Sequence, residues 1–183
     1  MAGPSRLPSR TPVAVDYGKE ERRAAMETNR LIVVGVDGSD GGRRALDWAV
    51  DEAVARGGAV QVVVAWRWDR IEVGPMTQAT GPVDEQQRAR TLLDDEIRGV
   101  VLRKGPGCSV AGEIAEGPAA DVLTAAARTA DLLVLGSHGH NRLRHTVLGS
   151  VSEECVRKAS CPVVVIPVPA PATTVGHEPV LRA

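Results

Sequence analysis

Three glycines and a serine, Gly136, Gly139, Gly149 and Ser150, have the types and spacing of an anion-binding loop. The apolar run Asp131-Leu132-Leu133-Val134-Leu135 reads as a strand leading into them, and a helix is expected to leave at Ser150. Glycine lets a backbone turn sharply and approach a ligand with no Cβ in the way. The unpaired N–H groups of the helix start, with the positive end of its dipole, suit a phosphate. Ser150 and Glu153 also have the Ser-x-x-Glu spacing of a capping box, which accounts for both without a ligand. A second candidate is Asp37, after the apolar run Leu31-Ile32-Val33-Val34-Gly35-Val36. Its carboxylate suits hydrogen bonds to a ligand, and helix capping is the alternative, with Ser39 and Asp40 competing for that task.

The interior of the loop is basic, with His138, His140, Arg142, Arg144 and His145, so a charge-assisted bond from Arg142 or Arg144 to a phosphate is one reading and solvation the other. His138 and His140 do not make a metal site, because no Cys or carboxylate in the loop completes one. The Lys of a Walker loop is missing, and no residue in the loop is an obvious base for activating water, although His138 or Asp37 could be recruited.

To position these groups the chain alternates strand and helix patterns, the signature of βαβ units and a parallel sheet. Strand patterns occur at 31–37, 59–66, 109–115, 131–135 and 163–166. The first helix carries Ala45, Leu46, Ala49, Val50, Ala53 and Val54 at helical spacing and stops at Gly57-Gly58. A charged helix over 84–104 turns Leu92, Leu93, Ile97, Val100 and Val101 inward, and a short one runs over 119–128 after Pro118. In the third strand Val110, Gly112 and Ile114 alternate with Ala111 and Glu113, which fits a sheet edge. Right-handed crossovers leave a doubly wound sheet that reverses direction once, and ligands favour the crevice at that switch point.

With 183 residues and 43% hydrophobic content, the chain supports one core. Aromatics are 2% with no Phe, so Val, Ala and Leu must fill it. A net charge of -1 gives no basic surface for a nucleic-acid backbone. Cys108, Cys155 and Cys161 form neither a disulfide framework nor a zinc motif, and the simplest compartment is a reducing cytoplasm. Residues 1–29, with Pro4, Pro8 and Pro12, read as a disordered tail without a signal peptide or membrane span; a transit peptide is the rival reading for its Arg and Ser, and Asp16, Glu20 and Glu21 count against it. Met26 is an alternative start, and residues 168–183 read as a second, flexible tail.

The pattern Gly-x2-Gly-x9-Gly-Ser, the strand ending in Asp37 and the final segment Cys161-Pro162-Val163-Val164-Val165-Ile166-Pro167 together resemble ATP-binding members of the universal stress protein family. The resemblance covers residues 30–167 and implies an α/β fold, a five-stranded parallel sheet of order 3-2-1-4-5 with helices on both faces. It implies ATP as ligand, with magnesium held mainly by phosphates and water. Val36 and Asp37 would flank adenine and ribose, and Ala65 would offer backbone groups to the adenine edge. Main-chain N–H groups of Gly136, Ser137 and Gly139 would line the ribose and first phosphates, and Gly149, Ser150 and Val151 would hold the terminal ones.

The function so implied is a nucleotide-binding regulator of the stress response, with at most slow ATP hydrolysis or autophosphorylation. Two alternatives are an interaction module of the same fold that binds no nucleotide and an adenylate-transferring enzyme. Against the enzyme, the His-rich tetrapeptide Ser137-His138-Gly139-His140 follows the fourth strand, whereas synthetase-type His motifs belong near the first helix. Val163 to Ile166 is continuous apolar chain at an expected sheet edge, which predicts a homodimer through that strand, as the family also implies.

Overall fold

The structure is a computed structural model that describes residues 30–68, 81–139 and 148–167. The two tails, the segment after Trp68, and His140, Arg142, Arg144 and His145 of the loop lie outside the described residues.

Five parallel strands form one sheet: β1 (Leu31–Gly35), β2 (Ala59–Trp66), β3 (Ser109–Glu116), β4 (Leu132–Gly136) and β5 (Val163–Ile166). Their spatial order is β3-β2-β1-β4-β5, the expected 3-2-1-4-5. In register, Val33 stands opposite Gln61 on one side and Leu133 on the other, so β1 is central.

The apolar runs are unbroken because helices cover both faces. Ile32, Val34, Val60, Val62 and Val134 belong to one cluster with Leu46, Leu93 and Ile97. Val33, Val63, Leu133 and Leu135 alternate onto the opposite face with Leu123 and Cys155. The first face carries α1 (Asp40–Arg56) and α2 (Pro82–Lys104), and the second α3 (Ala119–Ala126) and α4 (Ser150–Lys158).

Helix α1 begins at Ser39, whose Oγ accepts from the Gly42 N–H at 3.1 Å, so Ser39 rather than Asp40 is the cap. It ends at Gly57 in the left-handed conformation, with the Gly58 N–H reaching the Ala53 carbonyl at 2.8 Å. Five of the six apolar residues expected inward are buried, but Val54 is 49% exposed because it sits at the helix edge beyond the sheet. Helix α2 starts two residues before the expected Asp84, since Asp84 is instead the residue whose carboxylate accepts from the Gly81 N–H at 2.9 Å. Its buried Glu96 takes a bond from Arg43 Nε at 3.1 Å, which pins α2 to α1. The segment expected as helix over 119–128 finishes as a 3₁₀ turn, Ala127–Thr129, and Pro118 precedes its first turn as the N-cap. Strand β3 is an edge: Val110 and Gly112 are buried, Ala111 is exposed, and Leu93 and Ile97 fill the space a side chain at Gly112 would need. Among the described residues no helix is long and apolar enough to cross a membrane.

Candidate functional site

The strand order sets the carboxyl ends of β1 and β4 side by side, and a cleft of about 340 Å3 opens there. It is lined by eight of the nine residues singled out in the sequence, Val36, Asp37, Ala65, Gly136, Gly139, Gly149, Ser150 and Val151. The ninth, Ser137, lies beneath it and is 6% exposed.

The lining of the cleft is of two kinds. Val36, Val63, Ala65, Ala119, Leu123 and Leu135 are apolar. Asp37, Ser39, His138, Ser150 and Ser152 are polar and stand among the glycines. Such a site accepts a ligand that has both a flat apolar group and a polar or anionic one. A larger cleft, about 760 Å3, shares Val63 and lies between the end of β3 and α3. Asp121 there bonds Lys158 at 2.8 Å and Glu113 bonds Gln61 at 2.5 Å, and Glu116 joins them in the lining beside Pro118 at the start of α3, so this cleft presents three carboxylates where the first presents glycines and the start of α4.

Asp37 serves two ends. Its Oδ1 accepts from the Ser39 N–H at 3.0 Å and from Ser39 Oγ at 2.6 Å, so it buttresses the residue that caps α1. Its other oxygen faces Gly139, where a Cβ would overlap it. The two readings of Asp37, helix support and cleft wall, therefore describe one carboxylate with its two oxygens divided between them.

The glycines work by lacking a Cβ rather than by adopting unusual dihedrals. Neither Gly136 nor Gly139 has positive φ; the described residues that do are Gly38, Gly57, Gly105 and Gly117. A Cβ on Gly136 would stand 2.6 Å from the Gly41 carbonyl carbon, so this glycine lets α1 lie against β4.

Two expected N–H donors are spent within the protein. The Ser137 N–H donates to the Ile166 carbonyl at 2.8 Å, continuing the sheet one residue past β4, and the Gly149 N–H donates to the Ser137 carbonyl at 2.7 Å. Gly149 is the N-cap of α4, and Ser150 is the first helical residue, so the Ser150–Glu153 capping box does not form. Among the described residues no carbonyl accepts from the N–H groups of Ser150 and Val151, which lie in the first turn of α4. His138 turns its Nδ1 to Ser137 Oγ at 3.2 Å.

Ser39, Gly42, Ala119, Leu123, Leu135, His138 and Ser152 also line the cleft, and none was singled out as a site residue from the sequence. Two had a signal: Gly41-Gly42 is an unusual pair in a first helical turn, and Ala119 opens α3 straight after Gly117-Pro118. Among the described residues no three His, Cys, Asp or Glu side chains cluster as metal ligands.

A model of the universal stress protein family matches residues 28–167. Universal stress protein Rv3134c of Mycobacterium tuberculosis is 37% identical over 147 residues, covering 79% of this chain and 52% of its own. The chain spans about half the length of the curated relatives it matches. Among solved structures, universal stress protein UspA from Lactobacillus plantarum superposes with a TM-score of 0.62 at 24% identity, covering 75% of this chain and 97% of that one. The universal stress protein from Archaeoglobus fulgidus in complex with dAMP gives a TM-score of 0.53 at 26% identity, over 74% and 96% of the two chains.

Proposed function

The chain belongs to the universal stress protein family, and on that premise we propose that the cleft binds an adenine nucleotide, ATP with Mg2+, and that this binding regulates a stress response. The observation that carries the reading is the meeting of Asp37, Gly139 and the first turn of α4 in one cleft whose lining also holds Val36, Ala65, Leu123 and Leu135. The dAMP complex of the Archaeoglobus fulgidus relative supports the ligand class.

In this reading adenine lies along Val36 and Ala65, and the ribose hydroxyls donate to the Asp37 carboxylate. The N–H groups of Ser150 and Val151 donate to phosphate oxygens, each charge-assisted bond being worth roughly 1.5–3 kcal/mol when sheltered. Gly139 leaves room beside Asp37, while Gly136, Ser137 and Gly149 hold the frame. Magnesium rests mainly on phosphates and water, with Asp37 as the one carboxylate among the described residues of the cleft. No Walker lysine assists phosphoryl transfer, so turnover is at most slow hydrolysis or autophosphorylation. β5 is an edge strand of half-buried Val163–Ile166, and we place a homodimer contact there.

Calorimetric titration of nucleotide-stripped protein with ATP and Mg2+ tests the reading, beside a Gly149→Val variant. Gly149 has φ -75°, so a side chain there strains no backbone, yet its Cβ projects 3.3 Å from the Ser137 carbonyl oxygen at the helix start. Binding of about micromolar strength in the parent, weakened at least tenfold in the variant, is expected. No heat and no competition by any adenine nucleotide in the parent would refute it.

A further inference from the structure

Resting on the nucleotide reading above, we propose that Ser152 is a positioning residue for the phosphate end of the cleft. Its side chain belongs to a residue only 3% exposed, and its Oγ lies 3.2 Å from the Ser137 carbonyl oxygen and 3.0 Å from that of Gly149. One hydroxyl proton is thus shared between the strand end and the helix start. The same Ser137 carbonyl accepts the Gly149 N–H at 2.7 Å, and the Ser137 N–H is tied to Ile166 at 2.8 Å.

These bonds form a staple between β4, β5 and the first turn of α4. The staple matters because the N-cap of this helix is a glycine and offers no side chain to fix the helix entry. Ser152 supplies that constraint from inside the first turn. Its hydroxyl is spent on two carbonyls, so it acts through them: it sets where the open N–H groups of Ser150 and Val151 point. Removing it leaves the bond from the Gly149 N–H to the Ser137 carbonyl as the hinge between strand and helix among the described residues. The donors then sample directions in which they miss a phosphate, while the apolar lining and Asp37 are untouched.

The consequence is a split between ligands that share a base and differ in phosphate. Calorimetric titration of the full chain with ATP and Mg2+, and separately with adenosine, is run on the parent, Ser152→Ala and Ser152→Thr. Alanine is expected to raise the Kd for ATP about tenfold and leave that for adenosine within about twofold, and threonine, which keeps the hydroxyl, to restore ATP binding to within about threefold. A purely structural role would lower both affinities together. Equal loss for the two ligands, or an unchanged ATP affinity in Ser152→Ala, overturns the assignment of Ser152 and leaves the nucleotide reading standing. A parent that binds neither ligand defeats the nucleotide reading and this inference with it. Should the alanine variant fail to fold, Ser152→Cys, close in shape but a weak donor, must show the same split, and an unchanged ATP affinity there also overturns the proposal.

Discussion

Gly139→Ala places a methyl group on top of an Asp37 carboxylate oxygen, and the cost follows from what Asp37 already does. The chain at 139 cannot simply swing away, because two residues earlier Ser137 is fixed through its N–H to Ile166 and through its carbonyl to Gly149. The carboxylate must therefore rotate, which breaks its bonds from the Ser39 N–H and Ser39 Oγ at 3.0 and 2.6 Å. Asp37 is exposed, so each bond is worth about 1 kcal/mol rather than the larger value of a buried charge. The expected destabilisation is about 1–2 kcal/mol, a shift of roughly 0.5–1 M in the urea midpoint for a domain of this size. Asp37→Ala breaks the same two bonds and should cost a similar amount. In that background Gly139→Ala meets no carboxylate and should add almost nothing, so the double-mutant cycle should show a coupling of about 1–2 kcal/mol. Urea unfolding of the four proteins without nucleotide gives the answer. Additive costs, or a neutral Gly139→Ala in the parent, would refute the contact and the account of why glycine stands there.

Gly136→Ala should be the more damaging change, because its Cβ meets Gly41 backbone that no rotamer relieves; a loss of about 1–3 kcal/mol or more is expected in the same unfolding assay, and an unaffected midpoint would contradict the packing of α1 on β4. Burial, with the Glu154 charge adding, pushes the Cys155 thiol up to about 11 from an ordinary 9.0. The unfolded chain then loses this proton at lower pH than the folded one, so the contribution is fully present below pH 9.0 and is lost as pH rises toward 11. Cys108, which burial also pushes up to about 11, declines over the same window, so thermal melts should show a slope shallower by about 2 kcal/mol in Cys155→Ala than in the parent, and equal slopes would refute it.

The fold was legible because its information is local. Runs such as Leu31–Gly35 and Leu132–Gly136 need burial on both faces, and helices between them can supply it only as crossovers. Which face each residue takes was not legible: Val33 and Val34 look alike in sequence, yet they belong to different clusters. Glu96 read as one charge on a charged helix, and only the approach of Arg43, far away in sequence, makes it a buried anchor. At the site, the residues at 37, 139 and 150 were expected together and do line one cleft, but which N–H groups stay open was not legible. That depends on the sheet running one residue past β4, so that Ser137 becomes part of the ladder, and on the Gly149 N–H closing back onto it. The glycines were expected to turn sharply and to approach a ligand closely; that Gly136 approaches Gly41 and Gly139 the Asp37 carboxylate becomes visible only when the neighbouring element is in place.

The open end of the sheet also differs from the rest of the molecule in what holds it. Below it, two apolar clusters pack against either face and end near Val36, Val64 and Leu135. Above them the connections are polar and few: Asp37 to Ser39, Ser39 to Gly42, Ser137 to Ile166, and Gly149 with Ser152 back to Ser137. Each such bond contributes only about 1 kcal/mol, so this end yields before the strands do. A ligand that bridges Asp37 and the first turn of α4 would join β1 directly to α4, two elements that both meet β4 at this end. Bound at a hundred times its Kd, it would stabilise the folded state by about 2.7 kcal/mol, more than any single polar bond at this end supplies. If the cleft binds nucleotide as proposed, occupancy would be felt as added order at this end of the sheet, which is the property a regulator whose surface reports occupancy needs.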